Sequence, residues 1–196
     1  PITITANAQS TIYGNGLTLG TSAYSYTGGL ASGDTISSVI LKYNTSITVP
    51  TTNAGTYSIV PSAATGTGAF NTTNYNITYT SGALNVTQRP ITITANSNQT
   101  KIYGNADPTF AYTPQANTTN AGLVGSDSFS GSLARATGEN VGSTYAINLG
   151  TLANSNYNIT FVPANFAITA RPITITANAQ STIYGNGLTL GTSAYS

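Results

Sequence analysis

Apolar and polar residues alternate with period two along short stretches of this chain. Ile2, Ile4 and Ala6 point one way, with Thr3 and Thr5 between them. Tyr75, Ile77 and Tyr79 alternate with Asn76 and Thr78, and Leu84 and Val86 with Asn85 and Thr87. Tyr145, Ile147 and Leu149 repeat the pattern, as do Tyr157, Ile159 and Phe161, then Phe166 and Ile168. Such alternation predicts β-strands with one face buried and one wet, the pattern of antiparallel sheets covered on one side. Gly-Asn, Ser-Gly-Asp and Asn-Ala-Gly clusters between the strands are turn chemistry. Helical periodicity is nearly absent; Gly122 to Asp127 is the one stretch that could hold a short helical turn.

The pattern recurs. Residues 172–196 repeat residues 1–25 letter for letter. A looser repeat lies inside that period: PITITANAQSTIYGN from Pro1 returns as PITITANSNQTKIYGN from Pro90, one residue longer. GLASGD (Gly29 to Asp34) answers to GLVGSD (Gly122 to Asp127), and TNYNITY (Thr73 to Tyr79) to SNYNITF (Ser155 to Phe161). The reading is two divergent modules, 1–89 and 90–171, then the first strands of a third over 172–196, all drawn from a longer array. The expected fold is all-β: tandem small β-sandwich or β-grasp-like modules, each of about six or seven strands, joined end to end.

The joints are Arg89-Pro90 and Arg171-Pro172, with no flexible linker. Proline fixes its own φ and pushes the residue before it to extended geometry, so a stiff joint is expected.

Composition narrows the function. Charged residues are 5% of the 196, against about 25% in ordinary soluble domains, and the net charge is +1. Scattered cations do not make a nucleic-acid surface. No apolar run is long enough to span a membrane. Without His or Cys the usual nucleophile–base pairs are missing, which argues against an enzyme. No cofactor is expected. The acids are Asp34, Asp107, Asp127 and Glu139. Asp34 and Asp127, at matching positions, are weak calcium candidates, and turn or cap roles suit them better. Tyr13-Gly14, Tyr103-Gly104 and Tyr184-Gly185 read as a half-buried tyrosine ending a strand with glycine making the turn; the alternative is a tyrosine that stacks on a sugar. Arg135 and Glu139 read as a local ion pair. Lys101 could form an isopeptide with an Asn, but module one has Thr11 there. Asn44, Asn71, Asn76, Asn85, Asn98, Asn117 and Asn158 open Asn-x-Ser/Thr sequons.

KIYGNADPTFAYT (Lys101 to Thr113), GLVGSD, SLARATGENVGSTYAI (Ser132 to Ile147), NYNITF and NFAITARPITITA resemble the MBG/YDG-type repeats of large secreted bacterial adhesins, many of them similar to filamentous haemagglutinin. The resemblance spans the chain and is looser in module one. It implies an extracellular or cell-surface location and a spacer role in a stalk or filament. The implied partners are adjacent copies of the repeat, identical chains in a fibre, or surface glycans bound weakly by many copies.

Overall fold

The computed structural model describes residues 1–44 and 47–192. The sequon at Asn44 runs into residues 45–46, outside the described residues, as does the end of the third segment, 193–196.

Module one has seven strands: β1 (Ile2–Ala6), β2 (Gln9–Ile12), β3 (Tyr24–Thr27), β4 (Thr35–Tyr43), β5 (Gly55–Thr67), β6 (Ile77–Thr80) and β7 (Gly82–Thr87). Module two repeats them as β8 (Arg89–Ala95), β9 (Gln99–Ile102), β10 (Tyr112–Pro114), β11 (Ala134–Arg135), β12 (Thr144–Asn148), β13 (Tyr157–Val162) and β14 (Asn165–Thr169). A 3-10 turn, Thr72–Asn74, is the only helical element among the described residues. Gly122 to Asp127 is a plain turn rather than the helical turn considered from sequence, closed by Asp127 N–H donating to the Val124 carbonyl at 3.0 Å.

Each module is two facing sheets. Module one has the orders β3-β1-β6 and β2-β7-β5-β4, and module two has β10-β8-β13 and β9-β14-β12-β11. The two topologies correspond strand for strand. The sheets are mixed, which corrects the expectation of antiparallel pairing: β1 with β6, β2 with β7, β8 with β13 and β9 with β14 run parallel. The cause is that each pair of short strands is one extended run that changes sheet at a corner. The β1–β2 run turns at Asn7–Ala8 and the β6–β7 run at Ser81, and the two runs lie side by side in the same direction. Gly82 makes the approach possible, since a Cβ there would stand 2.2 Å from the Ala6 carbonyl oxygen. The extra residue at module two's corner is absorbed by Asn98 at φ 61°, in the left-handed region that asparagine tolerates.

Most positions that the alternation marked turn inward, but Tyr75, Ile77, Leu149, Ile159 and Phe161 are only half-buried and Tyr79 is exposed. Ile2, Ile4, Ile59, Leu84, Ile93, Ile147 and Phe166 are fully buried. Each such side chain contributes about 1.5–3 kcal/mol, enough to specify which face of each strand turns inward. The modules differ where module one carries the long β4–β5 hairpin. Module two shortens those strands to β11 and β12, and an ion cluster described below occupies that side.

The third segment contains no named strand among its described residues. Ile173 and Ile175 are exposed, whereas the identical Ile2 and Ile4 are fully buried. No helix among the described residues is long and apolar enough to cross a membrane.

Candidate functional site: the joint between the modules

Only Gln88 separates β7 from β8. Arg89, the first residue of β8, is 2% exposed, and no carboxylate faces it. Its Nε donates to the Gly122 carbonyl at 2.9 Å. Its Nη1 donates to the Tyr13 carbonyl at 3.0 Å and to Asn15 Oδ1 at 2.9 Å. Its Nη2 donates to Asn117 Oδ1 at 2.7 Å, to the Ala121 carbonyl at 3.1 Å and to the Thr118 carbonyl. A guanidinium offers five N–H groups in a rigid fork, and here the fork ties the turn after β2 in module one to the loop after β10 in module two.

The Tyr-Gly turn supplies module one's side of the contact. Gly14 has φ +81°, and a Cβ there would lie 2.5 Å from Val124 Cγ2, so the turn fits against module two only without a side chain. Tyr13 crosses the joint and donates its hydroxyl to Asp127 Oδ2 at 3.0 Å. Tyr157 donates to the same oxygen at 2.5 Å, and the two tyrosine rings meet edge to face at 5.6 Å. Burial first, and then the Asp127 carboxylate, raise both phenols above their ordinary range. Asn156 completes the contact: its carbonyl accepts from Arg89 N at 2.9 Å, its Oδ1 from Ala54 N at 2.9 Å, and its Nδ2 donates to Asn53 Oδ1 at 3.0 Å. Gln88 Nε2 donates to the Ser155 carbonyl at 3.0 Å.

Pro90 plays a smaller part than sequence suggested. Its carbonyl accepts from Gly122 N at 2.9 Å, and β10 pairs with β8 only from Ile93 onward, so the missing proline N–H falls beyond the end of that ladder.

Both outer ends carry half of the same arrangement. At the far end of module two, Arg171 Nη1 reaches the Tyr103 carbonyl at 3.4 Å and Asn105 Oδ1 at 3.3 Å, as Arg89 reaches Tyr13 and Asn15. Gly104 has φ +82°, but Tyr103 is half exposed where Tyr13 is buried. At the near end of module one, Tyr75 donates to Asp34 Oδ2 at 2.6 Å and accepts from Ala31 N at 3.0 Å, matching Tyr157, Asp127 and Val124. Asp34 Oδ1 accepts from Ala69 N at 2.8 Å. In the third segment Gly185 keeps the turn at φ +87°, and Tyr184 is fully exposed.

The calcium candidates Asp34 and Asp127 therefore hold tyrosine hydroxyls, and among the described residues no group of three or more His, Cys, Asp or Glu could hold a metal ion. The Arg135–Glu139 pair proves to be half of a four-residue cluster. Lys101 Nζ lies 2.7 Å from Asp107 Oδ1 and 2.6 Å from Glu139 Oε2. Arg135 lies 2.6 Å from Asp107 Oδ2 and 2.5 Å from Glu139 Oε1, with its guanidinium over the rings of Tyr145 and Phe166. Lys101 thus faces carboxylates and not the asparagine that an Asn isopeptide requires. Hydrogen bonds from Arg135 and Lys101 hold Asp107 down to about 2. Each carboxylate oxygen meets a cation, which stabilises charge and does not poise a proton. Beside the cluster runs an open groove of about 610 Å³ lined by Pro108, Phe110, Leu133 and Gly138 among others.

Arg89 as a hub was not visible in the sequence, because arginine is rarely fully buried. The available signal was the coincidence, in each module, of Tyr-Gly-Asn with a terminal Arg-Pro.

A family profile described as MBG domain (YGX type) matches residues 2–85 and again residues 91–167. The chain belongs to this MBG domain family. No curated protein and no solved structure matches it. In these tandem MBG modules the Tyr-Gly pair at Tyr13 and Gly14 is the part of one module that seats against the next.

Proposed function

We propose that the chain is a structural repeat segment of an extracellular bacterial adhesin stalk or filament, supplying length and stiffness. The observation that carries this reading is the Arg89 joint. Six hydrogen bonds from one buried side chain, a shared Asp127 and a Tyr-Gly turn closed against Val124 oppose bending in more than one direction. In this reading the partners are adjacent copies of the repeat. In this reading the carboxylates have structural work: Asp34 and Asp127 are engaged by tyrosines, and Asp107 and Glu139 by cations. A surface of Thr, Ser, Asn and Gly without Cys suits the outside of a cell. Glycan binding has less support, since Tyr13, the one of the three Tyr-Gly tyrosines at a joint between two modules of this chain, is buried there, while Tyr103 and Tyr184 are exposed.

The test uses the absence of native cysteine. Spin labels at Thr78→Cys and Thr160→Cys sit on exposed, equivalent strand positions of the two modules. Double electron–electron resonance should give one narrow distance distribution. A broad distribution, as from units swinging freely, would remove the mechanical role.

A further inference from the structure

Arg89 is buried without a counter-charge. Its six acceptors are carbonyl and side-chain amide oxygens, and none belongs to a carboxylate. Buried charges are ordinarily paired. One of the six acceptors has the chemistry to become an anion. Asn15 Oδ1 accepts from Arg89 Nη1 at 2.9 Å, and the residue after Asn15 is Gly16. A glycine in that place leaves the asparagine Cγ open to the next main-chain nitrogen, since no Cβ obstructs ring closure. A Cβ built at Gly16 would meet nothing within 4 Å, and Gly16 N–H donates to no group among the described residues. Asn15 is half-buried and Gly16 exposed, so water reaches the pair.

We propose that Asn15 is a site of self-modification, deamidated to an aspartate that pairs with Arg89 and tightens the joint. Gly16 N attacks Asn15 Cγ and gives up its proton to water. The Cγ–Nδ2 bond breaks, and Nδ2 takes up a proton and leaves as ammonia. Water then opens the cyclic imide at Cγ, the bond from Cγ to Gly16 N breaks, that nitrogen regains its proton, and the carboxylate forms. The co-reactant is water, and nothing is oxidised or reduced.

Arg89 takes part in both steps. Its Nη1 lies on the oxygen where negative charge develops each time Cγ is attacked, the place of an oxyanion-hole donor. The bias decides the product. An imide opened at the main-chain carbonyl gives isoaspartate, which adds a carbon to the backbone and breaks the turn, whereas opening at Cγ restores the native backbone. Asn15 Nδ2 donates to Asn120 Oδ1 at 2.9 Å; once that nitrogen is an oxygen, the exposed Asn120 amide turns over and donates instead. One neutral acceptor of Arg89 thereby becomes a charged one. Module two lacks the chemistry, because Asn105 is followed by Ala106, whose methyl crowds ring closure. The modification is a property of the Arg89 joint whether or not the chain builds a stalk.

The test is peptide mapping by mass spectrometry of the full chain held at mildly alkaline pH, with Asn186-Gly187 as the standard in the same molecule. That pair has the same neighbours in sequence, and among the described residues no arginine reaches its amide. Asn15 should convert in the folded chain and give mostly aspartate, while Asn186 gives mostly isoaspartate. Gly16→Ala should fold as the wild type does and lose the conversion. Asn15→Asp should slow hydrogen exchange at the Tyr13 amide about tenfold, the step from a neutral to a charge-assisted hydrogen bond, and the slowing should vanish in an R89M background. An Asn15 that stays an amide while Asn186 converts, equal shares of isoaspartate at both sites, conversion that persists in Gly16→Ala, or slowing that is absent or survives R89M would each overturn the proposal. A narrow spin-label distance in a chain that never deamidates would defeat this proposal alone and leave the stalk reading standing.

Discussion

Replacing Arg89 with methionine keeps most of the side-chain volume and removes every donor. The structure sets the cost. Four backbone carbonyls, of Tyr13, Thr118, Ala121 and Gly122, and the side-chain oxygens of Asn15 and Asn117 lose their partner together. A hydrogen bond to a charged group contributes about 1.5–3 kcal/mol net, and a buried polar group left alone costs about 1–3 kcal/mol. The outer acceptors, Thr118 and the two asparagines, sit in exposed loops and rehydrate, while desolvation of the guanidinium offsets part of the gain. The expected loss is therefore about 3–5 kcal/mol, from the buried carbonyls left without a donor less these offsets. Urea denaturation of the full chain measures it, and Arg171→Met is the internal control. Arg171 makes only two long contacts, at 3.3 and 3.4 Å, so its loss should cost less than about 1 kcal/mol. The R89M variant should also broaden the distance distribution between labels in the two modules. Equal costs at the two arginines, or an R89M loss under about 1 kcal/mol, would refute the assignment of the joint to Arg89.

Gly14→Ala and Gly104→Ala make a matched pair: both backbones are at nearly the same positive φ, but only Gly14 has Val124 within 2.5 Å of the added methyl. Both should pay about 1–2 kcal/mol of backbone strain, and only Gly14→Ala should also loosen the joint, read as faster hydrogen exchange at Arg89 and Tyr13. At high pH the joint should weaken. Tyr13 and Tyr157 titrate above the ordinary phenol range in the folded chain, so the unfolded chain releases its protons first; their contribution is intact below about pH 10 and falls as pH rises beyond it. Ultraviolet titration should show these two phenols ionising late, and Asp127→Ala should shorten the delay without removing it, because burial is its larger cause. At low pH the effect falls on module two. Asp107 is held down to about 2, chiefly by Arg135, so its contribution is present above the ordinary carboxylate range and is lost as pH falls from about 4 toward 2. Amide protection in β9 and β12 should fall over that window before protection in β4 and β5 does, and simultaneous loss would count against the cluster.

The sequence made the strand faces legible, because alternation reports which side chains turn inward. It left strand direction open: Ile2 to Ala6 reads the same whether its neighbour runs parallel or antiparallel. What decides direction is the corner at Asn7 and Ser81, where each run changes sheet, and a corner leaves little trace beyond Gly82. The turn role of Tyr-Gly was legible from the glycine. Its role in the joint was not, because Val124 and Asp127 stand more than a hundred residues away and meet Tyr13 only once both modules are folded. Asp107 was missed beside Arg135 for the same reason: only Glu139 lies within one turn's reach along the chain. Pro90 drew attention as the rigid element, since proline stiffness is a property of one residue, whereas the buried hydrogen-bond hub at Arg89 is a property of two modules together.

The two kinds of joint in such an array should differ in strength. Arg89 takes three of its acceptors, Asn117, Thr118 and Ala121, from the loop that follows β10. Module one has no counterpart of that loop: β3 ends at Thr27 and passes directly to Gly28 and Gly29. A module-one surface therefore offers Arg171 an equivalent of the Gly122 carbonyl and little more, although Asp34 and Tyr75 are ready for Tyr103. Ala31 also stands where Val124 closes over Gly14, so the Tyr103–Gly104 turn would pack less tightly. Under the stalk proposal, compliance then concentrates at every second joint, and the two-module unit is the rigid segment. Images of a chain spanning several such units should show bending angles of two widths in strict alternation, the narrower at Arg89-type joints. A single width throughout would mean that the acceptor loop contributes nothing to stiffness.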